Sequence, residues 1–259
     1  MQVELICADA FDPQLGLVAH GEVDHVVGDP PYSGKVHRGH RSTRKGAGGV
    51  RAEQDLGFEA LTPAVRRRTA EAIAAVVRRW VVLFSDLEGA GAWCDELRAA
   101  GLEPVQVGVW LKSNPTPQLT GTRPASPGEA LVVAHAMNGR RPMAKRWNGG
   151  GRALSYRGPS ERGSRRRGVP RHPTQKPLWL MEALLRELTD PGERVADPFA
   201  GSGTTLVAAA RMGRAARGWE RAERWAAVGR RRLATVRPQL ELAVPRAGVV
   251  GVQLGLEGE

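Results

Sequence analysis

Four consecutive residues near the amino terminus combine side-chain types that suit the binding of an amine: Asp29, Pro30, Pro31 and Tyr32. They follow Val23–Gly28, an apolar run that predicts a buried strand. The prolines fix φ and remove two N–H donors, so the turn is rigid and presents carbonyl oxygens. A carboxylate and carbonyls accept hydrogen bonds, and a tyrosine ring offers a flat face. The motif therefore predicts a site for the exocyclic amine of a flat base.

Acceptors at such a site would activate a weak nucleophile. An aromatic amine reacts poorly because its lone pair is delocalised into the ring. Acceptors that hold both of its protons tilt the nitrogen toward tetrahedral geometry and stabilise the cation that forms when it attacks. A strand-end turn with an incidental Pro-Pro pair is the structural alternative.

A second turn, in "VADPFAGSGTTLVAAA" (Val195–Ala210), has the composition of a ligand-binding loop. A predicted strand ends at Asp197, a glycine turn follows, and a helix begins at Thr204. Glycines allow a sharp turn, and a helix N-terminus favours a carboxylate or phosphate. A further strand ends at Glu220, where an acid suits ribose hydroxyls. By itself this turn is compatible with the binding of NAD, a flavin or S-adenosylmethionine, or with a purely structural role. Glu220 by itself is compatible with a helix cap.

Alternating strands and helices position these turns. The predicted strands are Val3–Cys7, Val23–Gly28, Trp80–Phe84, Pro104–Trp110, Glu129–His135, Arg194–Ala196 and Ala215–Glu220. One predicted helix is capped by Thr62-Pro63 and carries apolar residues at helical spacing: Val65, Ile73, Val76, Val77 and Trp80. The other predicted helices lie near Gly91–Ala100, Pro177–Leu188, Gly203–Met212 and Arg221–Val236. This alternation predicts an α/β fold with a doubly wound, mostly parallel sheet. Ligands of such sheets bind beyond the carboxyl ends of the strands, so both turns should open into one crevice.

The formal net charge of +11 is concentrated in two stretches. Ser33–Lys45 holds five Lys or Arg and no acid, and Asn138–Arg171 holds eleven against Glu161 alone. This pattern predicts contact with nucleic acid. Solvated faces, as for the arginines after Thr62, and a disordered basic loop are the alternatives. The residues that we expect to contact nucleic acid are Lys35, Arg38, Arg41, Arg44, Lys45, Arg140, Arg141, Lys145, Arg146, Arg165, Arg166 and Arg167.

Together these motifs resemble the DNA amino-methyltransferases of the β type, which methylate adenine or cytosine with S-adenosylmethionine. "DPPY" at Asp29–Tyr32 matches their catalytic motif, and "DPFAGSGTT" at Asp197–Thr205 matches their cofactor loop. "HPTQKP" at His172–Pro177 matches the segment before that loop, and "ICADA" at Ile6–Ala10 matches the strand beside the cofactor adenine. The catalytic motif precedes the cofactor loop, which resembles the permuted β-type order and argues against a protein substrate.

The resemblance implies a Rossmann-like fold and a role for each matched residue. Asp29 and the Pro30 carbonyl would accept the protons of the target amine, and Tyr32 would stack on the flipped base. The residues that it implies for the cofactor are Asp9, Ala10, Asp29, Thr174, Lys176, Asp197, Phe199, Ala200, Gly201, Ser202, Gly203, Thr204 and Glu220. Asp9 would lie near the adenine, Glu220 near the ribose and Asp197 near the ammonium. Thr174 and Lys176 would lie near the methionine end, with DNA contact as the alternative for Lys176.

Transfer would be direct, from sulfonium to nitrogen, without a metal or a covalent enzyme intermediate. We expect the target to be N6 of adenine in double-stranded DNA, because Asp opens the motif and cytosine-directed relatives more often begin with Ser. N4 of cytosine, structured RNA and a non-catalytic nucleic-acid-binding protein are the alternatives.

A single methyltransferase domain is expected over residues 1–236, with a mobile basic loop at 34–56, a basic target-recognition insertion at 138–171 and a tail at 237–259. Trp147 and Tyr156 of the insertion are candidates to stack on an opened base. The chain has neither a long apolar run nor the layout of a signal peptide, so we expect a cytoplasmic protein without membrane contact. The resemblance also implies a prokaryotic or phage origin, a homodimer and a restriction endonuclease as partner.

Overall fold

A computed structural model describes residues 2–32, 61–117, 124–137, 146–161, 172 and 174–237. Within these ranges the strands are β1 (Val3–Cys7), β2 (Val23–Gly28), β3 (Val77–Ser85), β4 (Leu102–Lys112), β5 (Gly128–Ala136), β6 (Ser155–Gly158), β7 (Arg194–Asp197) and β8 (Ala215–Glu220). The α-helices are α1 (Pro63–Val76), α2 (Ala90–Ala99), α3 (Leu178–Leu188), α4 (Thr204–Arg211) and α5 (Glu223–Ala234), and a short 3₁₀ helix spans Val18–His20. None of the helices described here is long and apolar enough to cross a bilayer.

The strands form one sheet in the order β1-β8-β7-β2-β3-β5-β4-β6. Every neighbouring pair is parallel except the two that involve β5, which runs against β3 and β4. The prediction of a doubly wound, mostly parallel sheet is therefore confirmed. One edge of the sheet, here called the carboxyl edge, carries the carboxyl ends of the parallel strands and the amino end of β5. The opposite edge is called the amino edge.

Helices cover both faces because successive residues of a strand point to opposite sides. Val27 and Val82 face the layer of α3, α4 and α5. Val26 and Val81, one position earlier, face the layer of α1 and α2. The central strands are thus buried on both faces, which explains why their sequences read as continuous apolar runs.

The boundary between α1 and β3 differs from the prediction. The Thr62 side chain accepts the Val65 N–H at 3.2 Å and Pro63 occupies the first turn, so the predicted cap is confirmed. The helix ends at Val76, however, and the chain pairs with β2 from Val77 onward. The helical spacing of Val77 and Trp80 was misleading, because a strand buried on both faces offers apolar residues at any period.

Part of the expected insertion at 138–171 belongs to the sheet. Residues 155–158 pair in parallel with the end of β4, a strand too short for the sequence pattern to reveal. Tyr156 is 9% exposed and donates to Glu187 Oε2 at 3.2 Å. The Trp147 ring meets the Trp80 ring edge-on at 5.4 Å between centroids. The prediction that Trp147 and Tyr156 stack on an opened base is therefore wrong, because both rings pack against the core.

Replacement of Gly128 by alanine tests the close approach of β4 and β5. A Cβ at Gly128 would clash with the backbone carbonyl of Trp110, whereas a Cβ at Gly91 of α2 would meet open space. We expect Gly128→Ala to lower the free energy of unfolding by about 1–3 kcal/mol. The matched variant Gly91→Ala should instead raise it by up to about 1 kcal/mol. Thermal and denaturant unfolding would measure both, and equal effects would contradict the packing described.

Candidate active site

A cavity of about 420 Å³ opens at the carboxyl edge of the sheet. The Asp29–Tyr32 turn follows β2 and the Asp197–Thr204 turn follows β7, and these two strands are neighbours in the sheet. Both turns line the cavity. They also touch, because a Cβ added to Gly28 would lie 3.3 Å from the Phe199 ring. The prediction that both turns open into one crevice is confirmed.

The glycine turn has a backbone that only glycine adopts readily. Gly201 has φ of 53° and Gly203 has φ of 75°, both in the left-handed region. Gly201 faces His172 at the cavity, but Gly203 lies beneath the turn, where an added Cβ would come within 3.5 Å of Gly229 in α5. Gly203 itself does not line the cavity, and its expected place at the cofactor stays a prediction. Its role is to begin α4.

Side chains from two other segments hold this turn in place. Ser202 donates its hydroxyl to Gln175 Oε1 at 2.7 Å, which ties the "HPTQKP" segment to the glycine turn. From α5, Arg232 donates to the Ser202 carbonyl at 2.6 Å and to the Thr204 hydroxyl at 3.1 Å. The amino end of α4 is thus fixed facing the cavity, with the positive end of its dipole toward any ligand.

Acidic side chains line one end of the cavity, where β1 and β8 lie side by side. Asp9 Oδ1 accepts the Phe11 N–H at 2.8 Å, and Glu220 Oε1 accepts the Ala222 N–H at 2.7 Å. Burial raises the pKa of Glu220. Glu220 thus holds the turn before α5 with one oxygen while it lines the cavity. The Phe11 ring lies 6.0 Å from the Phe199 ring and adds an aromatic wall.

Asp197 is a buried carboxylate between the two turns. Its Oδ1 accepts the Phe199 N–H at 2.9 Å, and Thr205 supplies a further hydrogen bond. Burial nevertheless raises the pKa of Asp197 to about 7, and the charges of Asp29 and Glu220 act in the same direction. A cation beside Asp197 would reverse this effect and favour the ionised form.

A row of alternating charges crosses the other end of the cavity: Asp29, Lys176, Glu129 and Lys112, here called the charge chain. Lys176 Nζ lies 2.5 Å from Asp29 Oδ2 and 3.1 Å from Glu129 Oε2. Lys112 Nζ lies 2.5 Å from the other Glu129 oxygen. Charges this deeply buried are stable only when they are paired, and here each one is.

The charge chain also holds the Tyr32 ring. The Tyr32 hydroxyl donates to Glu129 Oε2 at 2.7 Å and accepts from Lys176 Nζ at 3.3 Å. Asp29 Oδ1, in contrast, is buried without a hydrogen-bond partner among the described residues. Lys176 therefore lies at the catalytic motif, where its carboxylate partners compensate its burial. Its expected place near the methionine end of a cofactor stays a prediction.

The pairing decides which groups carry charge. Burial by itself would lower the pKa of Lys176, but Asp29 and Glu129 hold that pKa above its ordinary value. Burial opposes ionisation of Glu129 as well, yet Lys176 and Lys112 lower its pKa to about 2. For Asp29, burial and the Glu129 charge raise the pKa, and Lys176 opposes them. Asp29 is thus the member of the chain most ready to take a proton.

Several cavity residues had no signal strong enough to be predicted. Glu129 stands at the start of one apolar strand run, and Lys112 stands at the end of another. A single charged residue at such a position usually indicates only that the chain leaves the core there. Arg68 lies over the Phe11 ring at 5.1 Å and donates to the Phe11 carbonyl at 2.7 Å. It lines the cavity while it stays exposed, so the solvated-face alternative for this arginine is not contradicted.

The structure brings most of the predicted site residues together. Those that line the cavity are Asp9, Ala10, Asp29, Pro30, Pro31, Tyr32, Thr174, Lys176, Asp197, Phe199, Ala200, Gly201, Ser202, Thr204 and Glu220. Thr174 bonds to His172 Nδ1 at 3.2 Å, and the His172 ring packs against Trp225 at 4.8 Å between centroids. Burial lowers the pKa of His172 to about 4, so it is neutral near pH 7.

The predicted DNA contacts are mostly outside the described residues. Those outside are Lys35, Arg38, Arg41, Arg44, Lys45, Arg140, Arg141, Lys145, Arg165, Arg166 and Arg167. The loop 34–56 and the tail after Arg237 are outside them as well. Arg146 is described, and its carbonyl accepts the Trp80 Nε1–H at 2.9 Å. It lies at the amino edge, away from the cavity, and its contact with nucleic acid stays a prediction.

The ends of the basic segments fall at different edges of the sheet. Residues 33–60 start after Tyr32 and end before Leu61, whose N–H donates to the Tyr32 carbonyl at 3.3 Å. Residues 162–171 start after Glu161 and end before His172, which lines the cavity. Glu161 is held nearby, since it accepts from Gln175 at 2.7 Å. The residues on either side of 138–145 lie instead at the amino edge.

Comparison with known proteins identifies the family. A family model described as DNA methylase matches residues 91–229, more than half of the chain, so the protein belongs to the DNA methylase family. The putative methylase YubD of Escherichia coli K12 is 42% identical over 74 residues, which are 29% of this chain and 33% of that protein. The type II methyltransferase M2.DpnII of Streptococcus pneumoniae is 43% identical over 63 residues, 24% of each protein. These matches span a third or less of each relative's length.

Solved structures share the fold over nearly the whole chain. The M1.HpyAVI–SAM complex has a TM-score of 0.62 at 22% identity, covering 90% of this chain and 100% of that one. TTHA0409 of Thermus thermophilus, complexed with S-adenosyl-L-methionine, has a TM-score of 0.60 at 22% identity, covering 90% of this chain and 93% of that one. The cytosine-N4-specific PvuII methyltransferase has 0.65 at 13%, covering 90% and 86%. The expected membership in the DNA methylase family is thus confirmed, and the solved structures confirm the expected fold.

Replacement of Lys176 by methionine tests the buried charge pairing. The variant leaves Asp29 and Glu129 buried side by side with less compensation, which should cost about 3–5 kcal/mol of stability at pH 8. Without the ammonium their pKa values would rise and let them take up protons as the pH falls, so the cost should shrink toward pH 5. Denaturant unfolding at both pH values measures this.

Arg98→Met is the matched control, because it breaks an ion pair to Asp95 in which both side chains are well exposed. It should change stability by less than about 1 kcal/mol at either pH. An equal loss in the two variants would contradict the role given to Lys176.

Proposed function

We propose that this protein transfers a methyl group from S-adenosylmethionine to N6 of adenine in double-stranded DNA. The observation that carries the proposal is the meeting of both turns in one cavity, with Asp29 Oδ1 buried and unpartnered among the described residues at their junction. A buried acceptor without a donor is costly, and an N–H group of a bound base would satisfy it. The family membership supports the same reaction.

The cavity suits S-adenosylmethionine in the kind and place of its groups. Asp9 and Glu220 offer carboxylates for hydroxyl and amine donors, and Phe11 and Phe199 offer aromatic walls for an adenine. Asp197 and the amino end of α4 lie where the methionine ammonium and carboxylate would find opposite charge. When bound, the cofactor supplies a methyl group that is attached to a sulfonium sulfur, and this sulfur is a good leaving group. Among the described residues no cluster of three or more His, Cys, Asp or Glu could hold a metal.

The protein residues would position and polarise the base. The Tyr32 ring stacks on it, held by Glu129 and Lys176. Asp29 Oδ1 and the Pro30 carbonyl accept the two protons of the amine, which directs the nitrogen lone pair toward the methyl group. After transfer the nitrogen must lose one proton, and Asp29 receives it. Its burial supports this role, because burial raises the pKa of Asp29.

DNA would approach the carboxyl edge. The segments 33–60 and 162–171 begin and end there, and they contain the predicted contacts Lys35–Lys45 and Arg165–Arg167. This arrangement supports phosphate contacts from both sides of the cavity. Adenine is preferred because Asp opens the acceptor motif. A homodimer and a restriction endonuclease partner stay predictions of the resemblance.

Nucleoside analysis tests the proposed activity. We expect unmethylated plasmid DNA, incubated with protein and S-adenosylmethionine and then digested, to contain N6-methyladenine by mass spectrometry. Asp29→Ala should lower the yield by about a hundredfold or more, since it removes an acceptor at the reacting nitrogen, and a parallel cofactor titration separates this loss from weaker cofactor binding. N4-methylcytosine would overturn the choice of base, and the absence of any methylated base would overturn the activity.

The pH dependence of cofactor binding tests the place of Asp197. An ionised Asp197 would attract the methionine ammonium, and its pKa of about 7 means that acid removes this charge. The affinity for S-adenosylhomocysteine should therefore be highest above pH 7 and fall by up to about tenfold per pH unit below it. Isothermal titration calorimetry between pH 5.5 and 8.5 would measure the slope.

Two variants separate Asp197 from its acidic neighbour. Asp197→Asn should bind weakly and show little dependence on pH. Glu220→Gln should also bind less tightly but keep the dependence, because Asp197 remains. A wild-type affinity that does not change between pH 6 and 8 would show that Asp197 does not face the ammonium.

A further inference from the structure

Glu129 holds together parts of the cavity that come from distant segments. It lies beside Gly128 at the amino end of β5, the strand that runs against its neighbours. Only this reversal brings the start of a strand to the carboxyl edge, where all the other described strands of the sheet end. The Glu129 side chain is 10% exposed and both of its oxygens are engaged.

We propose that Glu129 is a positioning residue for methyl transfer, which fixes the Tyr32 ring and the Lys176 ammonium through one carboxylate while Lys112 fixes the carboxylate itself. This inference rests on the proposed function. It adds that Glu129 keeps the Tyr32 ring and the acceptor Asp29 in position relative to each other, although Glu129 provides neither the stacking face nor the acceptor.

The distances define how the coupling works. One Glu129 oxygen accepts from the Tyr32 hydroxyl at 2.7 Å and lies 3.1 Å from Lys176 Nζ. The same ammonium lies 2.5 Å from Asp29 Oδ2. A swing of the whole Tyr32 side chain would therefore break its bonds to Glu129 and to Lys176, the ammonium that also holds Asp29. The remaining Asp29 oxygen, Oδ1, is buried without a hydrogen-bond partner among the described residues, which keeps it available as an acceptor for the target amine.

Lys112 keeps Glu129 ionised and fixes its second oxygen. Its ammonium lies 2.5 Å from Glu129 Oε1 and 5.0 Å from the centre of the Trp110 ring, so the cation has partners on two sides. Burial opposes a charge on Glu129, yet the two lysines lower its pKa to about 2. Glu129 therefore stays an acceptor for the Tyr32 hydroxyl throughout the neutral pH range.

A purely structural role for Glu129 is the rival explanation, and the chain provides a matched control. It contains two tyrosines, and each donates its hydroxyl to a glutamate. The second pair, Tyr156 with Glu187, joins β6 to α3, and neither residue lines the cavity. Glu187→Gln and Tyr156→Phe therefore change the same chemistry away from the site.

Steady-state methylation of plasmid DNA provides the first readout. We expect Glu129→Gln to lower kcat by about tenfold or more, because a misplaced base and acceptor weaken the transition state, with cofactor affinity changed by less than about twofold. Glu187→Gln should leave kcat within about twofold of wild type. If Glu129 acts through Tyr32, the double variant Tyr32→Phe/Glu129→Gln should be little worse than the poorer single variant.

The second readout needs no activity. Protein labelled with fluorotyrosine should give one ¹⁹F resonance for each of the two tyrosines, assigned with Tyr156→Phe. Glu129→Gln should shift or broaden the Tyr32 resonance and leave the Tyr156 resonance in place. Should Glu129→Gln not fold, Lys112→Met serves in its place, since it frees Glu129 to move without removing it and should shift the same resonance.

The outcomes are distinct. Loss of kcat in Glu129→Gln, non-additive with Tyr32→Phe and accompanied by a shifted Tyr32 resonance, supports the inference. A kcat within about twofold of wild type, additive losses, or an unmoved Tyr32 resonance in a folded variant overturns it. A wild-type protein that methylates no base refutes the proposed function instead, and the ¹⁹F result still decides whether Glu129 holds Tyr32.

Discussion

The ammonium of Lys176 is the interaction on which the site depends. It lies 2.5 Å from Asp29 and 3.1 Å from Glu129, residues that follow β2 and begin β5, while Lys176 itself precedes α3. A buried charge without a partner is strongly destabilising, so these three segments must meet for the fold to be complete. The residues that would hold a base are therefore placed by the same electrostatic requirement that closes the carboxyl edge of the sheet.

The direction of the strands divides the cavity into two parts. β1, β8 and β7 end in or beside the acids and glycines suited to a cofactor, while β2, β4 and β5 contribute the charge chain. Asp29 and Asp197 stand at the boundary, since β2 and β7 are neighbours. A parallel sheet collects the ends of strands at one edge, and the reversal of β5 adds the start of a strand to them. Without that reversal the Tyr32 hydroxyl would lack its carboxylate acceptor.

The opposite edge of the sheet has a different character. There His25 bonds to Glu193 at 2.8 Å, and Arg79 pairs with the same glutamate. The polar side chains at this edge thus link β2 and β3 to the start of β7. Arg146 lies at this edge, with its backbone on Trp80. A basic residue in a basic stretch of the sequence therefore need not lie at the cavity, as the position of Arg146 shows. The described residues that flank 33–60 and 162–171 lie at the carboxyl edge, whereas those that flank 138–145 lie at the amino edge.

The sequence by itself determined the features that depend on local chemistry. Prolines stiffen the Asp29–Tyr32 turn, glycines permit the positive φ of the second turn, and the alternation of apolar runs sets the strands and helices. These are properties of a few adjacent residues, so they could be read correctly. The tertiary structure decided the position of Lys176, the engagement of Tyr156 in the core, and the roles of Glu129 and Lys112. These positions and roles depend on strand order and on the reversal of β5. The role of a buried charge depends on its partner, and that partner is not part of the local sequence.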